Sequence, residues 1–314
     1  MDTLIFLIIG LAVFIDLLIG ELPSKIHPVV WMGQSIHFLK PYLLKLQNKL
    51  SGFLLTIILI VFFVLSAIII LYLISSNYML YILVSLILLS TTFSIKMLIS
   101  TSKDVATNLS SNSEKARKNV SYLVSRDTKN LDDSQLISAT IESLTENITD
   151  SMASPILFYF ILGVPGAMFF RVVNTLDAMV GYKNEENAVI GWFPAKLDDI
   201  LNYIPARVTG LIIVIAAFLL RMNWKNSFRI MIRDARNSPS PNSGFTMAAS
   251  AGALEIELEK PNVYKIGDNN KKLTIDTIHD AIKLTKMTVF LFLIFSIGFF
   301  AFLYYIISIY LFSL

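Results

Sequence analysis

The sequence predicts an all-α, polytopic integral membrane protein whose helical segments on the cytoplasmic side form the working site. Three observations predict it. Of 314 residues, 55% are hydrophobic and 16% charged, whereas a soluble domain carries about 25% charge. Four apolar runs are long enough to cross a bilayer. The segments between them place polar residues at helical spacing. The whole chain, 1–314, reads as a single membrane-embedded domain.

The first run, 3–20, carries Asp16 near its far end. The opening Met1-Asp2-Thr3 lacks the basic start of a signal peptide, and no small-x-small cleavage site follows, so the run reads as an uncleaved span. Residues 53–74 are 22 positions without a charge, roughly 33 Å of helix. Residues 79–100 repeat the pattern with only Lys96 near the end, and 287–314 are 28 residues without a charge. Two further runs are shorter. Residues 152–170 are interrupted by Gly163-Val164-Pro165-Gly166, and 208–220 lie between Arg207 and Arg221. Both are expected as short or broken membrane helices buried in protein, or as re-entrant elements. The hydrophilic segments are then 21–52, 101–151, 171–206 and 222–286. Segment 101–151 holds six Lys/Arg and 222–286 holds ten, while the link 75–78 holds none. The positive-inside rule puts the basic segments in the cytoplasm, with both termini and the 75–78 hairpin outside.

Composition also excludes. Zero cysteines rule out thiolate zinc sites, iron–sulfur clusters and cysteine nucleophiles. With 26 basic against 23 acidic residues, no nucleic-acid partner is expected. No phosphate-binding G-x-x-x-x-G-K-[ST] loop, dinucleotide glycine fingerprint, H-E-x-x-H or G-x-S-x-G sequence occurs.

Segment 133–149 reads as a helix capped by Asp133, with Ile137, Ile141, Leu144 and Ile148 as its apolar stripe. Glu142 and Glu146 lie one turn apart on the opposite face, and Asp150 follows. Paired carboxylates suit Mg²⁺ and phosphate substrates; the plainer reading is a solvated helix face. In 166–182, Arg171, Asn174 and Thr175 share a face, with Asp177 on its edge. Arginine suits phosphate or carboxylate, but it also suits the lipid headgroup level. In 191–207, Lys196 pairs with Asp199 and Asp198 with Asn202 at helical spacing: a second carboxylate cluster, or a routine amphipathic helix between prolines. Segment 233–252 holds Arg233, Asp234 and Arg236, then the stiff polar run Ser238-Pro239-Ser240-Pro241-Asn242-Ser243-Gly244. Such a loop can aim N–H groups and hydroxyls at an anion, or simply connect. Small residues from Ala248 to Ala253 predict close helix packing. His27, before Pro28, is a candidate ligand or acid–base group beside the commoner structural reading. His37 and His279 stand near no motif and read as structural.

In order along the chain, these blocks resemble the adenosylcobinamide-phosphate synthase family of cobalamin biosynthesis (the CbiB/CobD family). The blocks are Asp16-Leu-Leu-Ile-Gly20, His27-Pro28-Val29, Arg126-Asp127-Thr128, Glu142-Ser143, Glu146-Asn147, Asp150 and Pro155. Arg171-Val-Val-Asn174-Thr175-Leu-Asp177-Ala-Met-Val-Gly181-Tyr182, Gly191-Trp192, Leu197-Asp198-Asp199 and Pro205-Ala206-Arg207 follow. Arg233-Asp234-Ala235-Arg236, Ser240-Pro241-Asn242-Ser243-Gly244 and Ala251-Gly252-Ala253-Leu254 complete the set. Each block is modest alone; the ordered set is specific. Glu21, Lys183, Ser238, Phe245 and Met247 depart from the family's usual residues, which puts side-chain chemistry at 238–247 outside Ser240–Gly244 in doubt.

The resemblance implies ATP-driven amide formation between adenosylcobyric acid and an aminopropanol phosphate or similar amino-alcohol. It implies ATP as co-substrate, Mg²⁺, and a cytoplasmic-side site in the cell membrane. Other membrane enzymes of cobalamin assembly are candidate partners. On this reading Glu142, Glu146 and Asp150 hold Mg²⁺, with Asp198 and Asp199 as second choice. Arg171, Lys196 and Arg236 hold phosphates. Asn174, Asp177 and Ser240, Asn242 and Gly244 position substrate, with Asp177 also able to take the amine proton. Arg126, Asn147 and Arg207 join the substrate-binding set, as does His27. Because ATP is cytoplasmic, 171–206 should face that side. The rival from another class is a membrane transporter or a corrinoid-binding scaffold without catalysis.

Overall fold

In the computed structural model, residues 2–124, 126–182 and 184–312 are described, so Lys183 lies outside the described residues. They form helices almost throughout, as the apolar and amphipathic periods predict. The backbone contacts divide into two compact units, 1–94, 154–201 and 296–314 against 95–153 and 202–295.

The first unit contains α1 (Asp2–Leu18), α2 (Pro28–Leu44), α3 (Leu50–Leu73), α4 (Tyr78–Ser90), α8 (Ser154–Val180) and α9 (Trp192–Leu201). Helix α8 packs against α2, α3, α4 and α9, and α1 lies along α4. Gly163 adopts φ +67 within α8 and bends it, because Pro165 follows and glycine alone takes that conformation without strain. The start of α3 closes on the chain before α9. A Cβ on Gly52 would stand 2.1 Å from the Ile190 carbonyl oxygen, so only glycine allows that approach.

The second unit contains α5 (Ile95–Leu109), α6 (Ser113–Ser121), α7 (Asp133–Ile148), α10 (Tyr203–Leu219), α11 (Trp224–Asp234) and α12 (Ser243–Leu254). Helix α12 is its centre, contacting α7, α10 and α11. The small residues make this possible: a Cβ on Gly252 would lie 2.6 Å from the Asn226 carbonyl oxygen. Two strands, β1 (Glu257–Lys260) and β2 (Tyr264–Gly267), pair antiparallel, Leu258 opposite Ile266. This hairpin was not expected in an all-α chain. Asn262 at φ +61 turns it, and its alternation is too short to stand out in sequence. The last helix, α13 (Ile275–Phe312), runs from the second unit into the first.

Among the described residues, four helical stretches are long and apolar enough to cross a membrane: Leu50–Leu73, Tyr78–Leu109, Asp133–Val180 and Ile275–Ile309. Helix α1 is shorter, at 17 residues. The expected span 79–100 is interrupted between α4 and α5, where residues 91–94 leave the helix. Run 208–220 belongs to the longer α10. The outward faces of α3 and α13 expose Phe62, Ile69, Phe290 and Phe302, a surface suited to lipid rather than water. The chain is a polytopic helical membrane protein.

Candidate functional site

In the first unit the polar side chains meet around Arg171, on α8 beyond the Gly163 bend. Its Nη2 donates to Ser94 Oγ at 3.2 Å, and its Nη1 to Asn174 Oδ1 at 3.3 Å. Asn174 Nδ2 donates to Asp198 Oδ1 at 3.4 Å. Ser94 Oγ donates to Glu21 Oε1 at 2.9 Å. Sequence spacing linked Arg171 with Asn174; only the fold brings Asp198 to them. Ser94 carries no motif signal, and Glu21 stood out only as a departure from the family pattern.

His27 borders this group. The Val29 N–H donates to its Nδ1 at 3.2 Å, so His27 caps α2. With Nδ1 accepting, the proton of the neutral ring sits on Nε2, which is buried with no hydrogen-bond partner among the described residues. Burial lowers the His27 pKa, Glu21 raises it, and Arg171 lowers it again. Asp177 lies against Gly181, where a Cβ would come within 2.0 Å of its Oδ1. Lys196, 63% exposed, stands 3.7 Å from Asp199, a surface pair of little energetic weight.

In the second unit the centre is Glu142. Helix α7 starts from a capping box, with Asp132 accepting the Gln135 N–H and the Gln135 side chain accepting the Asp132 N–H. The cap is thus Asp132 rather than Asp133. The face expected to be solvated is covered, since every residue from Leu136 to Thr145 is buried. The hairpin does the covering: the Glu259 N–H donates to Ser138 Oγ at 3.0 Å. Arg126 reaches Glu142 Oε1 at 3.2 Å, their side chains only 15% and 6% exposed. Tyr264, on β2, faces Glu142 and Glu146. Burial first, then those two negative charges, push its phenol pKa well above the usual value. No periodicity argument could have found Tyr264, because it comes from the unforeseen hairpin.

Asp150 falls in the turn that follows α7. Among the described residues no three His, Cys, Asp or Glu side chains gather as metal ligands. The helix widens to a π turn over Thr149–Ala153, which breaks the 3.6-residue period that would carry the Glu142–Glu146 line onward. Asn147 donates through Nδ2 to Ser143 O at 2.9 Å, and Ser143 Oγ donates to Leu123 O at 2.9 Å. Asn147 thus braces the segment leading to Arg126.

Arg207 lies elsewhere in the second unit, its guanidinium 3.4 Å from the Tyr203 ring centre and 4.3 Å from that of Phe245. It donates to Asn242 Oδ1 at 3.2 Å and to Pro241 O at 3.4 Å. Ser240 Oγ accepts the Asn242 N–H at 3.2 Å. Gly244 is needed for packing, since a Cβ there would sit 2.0 Å from the Ala235 carbonyl oxygen. Arg207 therefore fastens the Ser238–Gly244 loop, while Arg236 at its entrance is exposed.

This fold, with a buried Arg126–Glu142 pair in one unit and a half-buried Arg171–Asn174 pair in the other, defines a polytopic membrane protein with polar groups held away from water. The model of the CobD/Cbib protein family matches residues 9–294. A relative from Methanothermobacter thermautotrophicus, called "Probable cobalamin biosynthesis protein CobD", is 52% identical over 92% of this chain and 95% of its own. One of the same name from Methanocaldococcus jannaschii is 39% identical, covering 92% and 96%. The "Cobalamin biosynthesis protein CobD" of Leptospira interrogans is 36% identical, also covering 92% and 96%. No solved structure matches the chain. The chain belongs to the CobD/CbiB family.

Proposed function

We propose that the chain works in cobalamin biosynthesis as an ATP-dependent amide ligase of the cell membrane. It would join a propionate carboxylate of adenosylcobyric acid to an aminopropanol phosphate or a related amino-alcohol phosphate. Family membership over residues 9–294 supports the pathway. The observation carrying the chemistry is the buried carboxylate of Glu142, held by Arg126 beside Glu146 and Tyr264.

The reaction balances in two steps. The propionate oxygen attacks the γ-phosphorus of ATP, ADP leaves, and an acyl phosphate forms. The amine nitrogen then attacks the acyl carbon, inorganic phosphate leaves, and the nitrogen gives up a proton. Asp177 is our candidate to take that proton. Phosphoryl transfer of this kind rests on positioning and charge stabilisation.

The acidic pair fits a divalent cation. Mg²⁺ is commonly held by one or two carboxylates plus substrate phosphates, and Glu142 Oε2 is buried, with the Tyr264 phenol facing this carboxylate besides Arg126 among the described residues. Glu142 and Glu146 would hold Mg²⁺, which would supply charge neutralisation on the transferring phosphoryl group. Arg171, hydrogen-bonded to Asn174, would hold a carboxylate or phosphate of substrate, and His27 would contact it through Nε2. Lys196 and Arg236 are exposed enough to meet an entering anion. The site is assigned to the cytoplasmic side, where ATP is available.

The test is end-point mass spectrometry on detergent-purified protein given adenosylcobyric acid, aminopropanol phosphate and Mg-ATP. The amide product with stoichiometric ADP supports the ligase. Bound corrinoid with no product and no ATP turnover would turn the reading to a non-catalytic corrinoid-binding protein.

A further inference from the structure

An open cavity of about 540 Å³ lies between α6 and the chain that joins it to α7 in the second unit. Four cations, Arg117, Lys118, Arg126 and Lys129, line it against two carboxylates, Glu114 and Asp127. The cations outnumber the carboxylates. Glu114 belongs to the exposed first turn of α6, and Asp127 Oδ1 already accepts the Lys129 N–H at 2.9 Å. The wall is also fixed. Arg117 donates through Nε and Nη2 to Leu131 O at 3.3 and 3.2 Å, and Thr128 Oγ1 donates to Arg117 O at 3.0 Å.

Arg126 is the unusual member. One nitrogen meets Glu142, but Nε and Nη1 are buried and find no acceptor among the described residues. Buried charged donors left without acceptors are costly, and natural interiors rarely keep them. A planar guanidinium with two free N–H directions matches the oxygens of a phosphate. The two lysines are exposed and mobile enough to close on a ligand.

We propose that this cavity is a binding site for phosphoryl anions, with Arg126 as its fixed anchor and Lys118 and Lys129 as its outer clamps. The cavity chemistry stands by itself; it rests on the ligase reading only for the two sources considered, the polyphosphate of a nucleotide and the phosphate monoester of an amine substrate.

The test is calorimetric titration of the full-length, detergent-solubilised protein with inorganic tripolyphosphate. Wild type should bind it, and the affinity should fall as salt rises. The double variant Lys118→Ala/Lys129→Ala should bind about tenfold more weakly, as expected for two lost charge contacts. The variant Lys283→Ala, which removes an exposed lysine paired with Asp280, should bind like wild type. Absence of binding to wild type, or equal weakening by Lys283→Ala, would overturn the site. Competition assigns the source: displacement by ATP without metal indicates a nucleotide, and displacement by aminopropanol phosphate indicates the amine substrate. Binding that persists in a protein making no amide product would refute the ligase reading and leave the site standing.

Discussion

Arg126 and Glu142, 16 residues apart in sequence, form an ion pair of 3.2 Å with both side chains largely removed from water. Such a pair contributes little net stability when whole, but breaking it leaves an uncompensated charge. Arg126→Met should therefore destabilise the protein by about 3–5 kcal/mol. Adding Glu142→Gln should recover most of that loss. Thermal unfolding of the single and double variants in one detergent measures it; additive losses would mean the two side chains are not coupled.

Activity should depend on the acidic pair, beyond the stability lost when Arg126 is left without its buried partner. The variant Glu142→Ala/Glu146→Ala should make no amide product yet still insert into the membrane. Product assay and membrane fractionation on the same preparation decide this. Near-normal turnover would remove both residues from the proposed cation site.

His27 should give the first unit a pH-dependent stability. Burial holds its folded-state pKa below the ordinary value, about 6.5 in the unfolded chain. As pH falls, the unfolded chain takes up this proton first. The stabilisation is therefore present above about pH 6.5 and declines below it. Protonation would also remove the Nδ1 acceptor that caps α2. Melting temperature should fall between pH 7.5 and 5.5 more steeply for wild type than for His27→Asn, which keeps a capping acceptor without titrating in that range. Parallel profiles would show that His27 does not titrate on unfolding.

Glycines should separate by what surrounds them. Gly52→Ala and Gly244→Ala would each drive a Cβ to about 2 Å from a carbonyl oxygen, forcing backbone shifts worth about 1–3 kcal/mol or more. Gly10→Ala meets nothing within 4 Å and sits inside α1, so it should stabilise by up to about 1 kcal/mol. Melting temperatures of the three variants provide the comparison. If Gly244→Ala lost activity with unchanged stability, a direct substrate role would replace the packing role.

The chain has no cysteine, so topology can be read from single introduced thiols. Glu185→Cys should resist a membrane-impermeant maleimide in intact cells and react after the membrane is opened. Reaction in intact cells would put 171–206 outside and move Arg171 and Asp198 away from cytoplasmic ATP.

Composition and run length alone determined that this is a helical membrane protein, because burying apolar surface in lipid requires long uncharged runs with satisfied backbone. Local chemistry also announced the bend after 152–162, since Gly163 and Pro165 act within one turn, and the tight packing of Ala248–Ala253. The ordered polar blocks identified the family. Pairing was another matter. Spacing along one helix could offer Glu142 a neighbour in Glu146 and Arg171 one in Asn174, yet it could not supply Arg126, Tyr264, Ser94 or Asp198. Those partners come from other elements, and which elements meet is settled by packing over the whole unit. The same limit explains why Arg207, Asn147 and Gly244, prominent as sequence motifs, serve in the structure as a loop clasp, a brace and a close backbone contact. A sequence fixes which groups are charged or small; only the tertiary fold decides which are desolvated together, and desolvation is what turns an ordinary charge into a site.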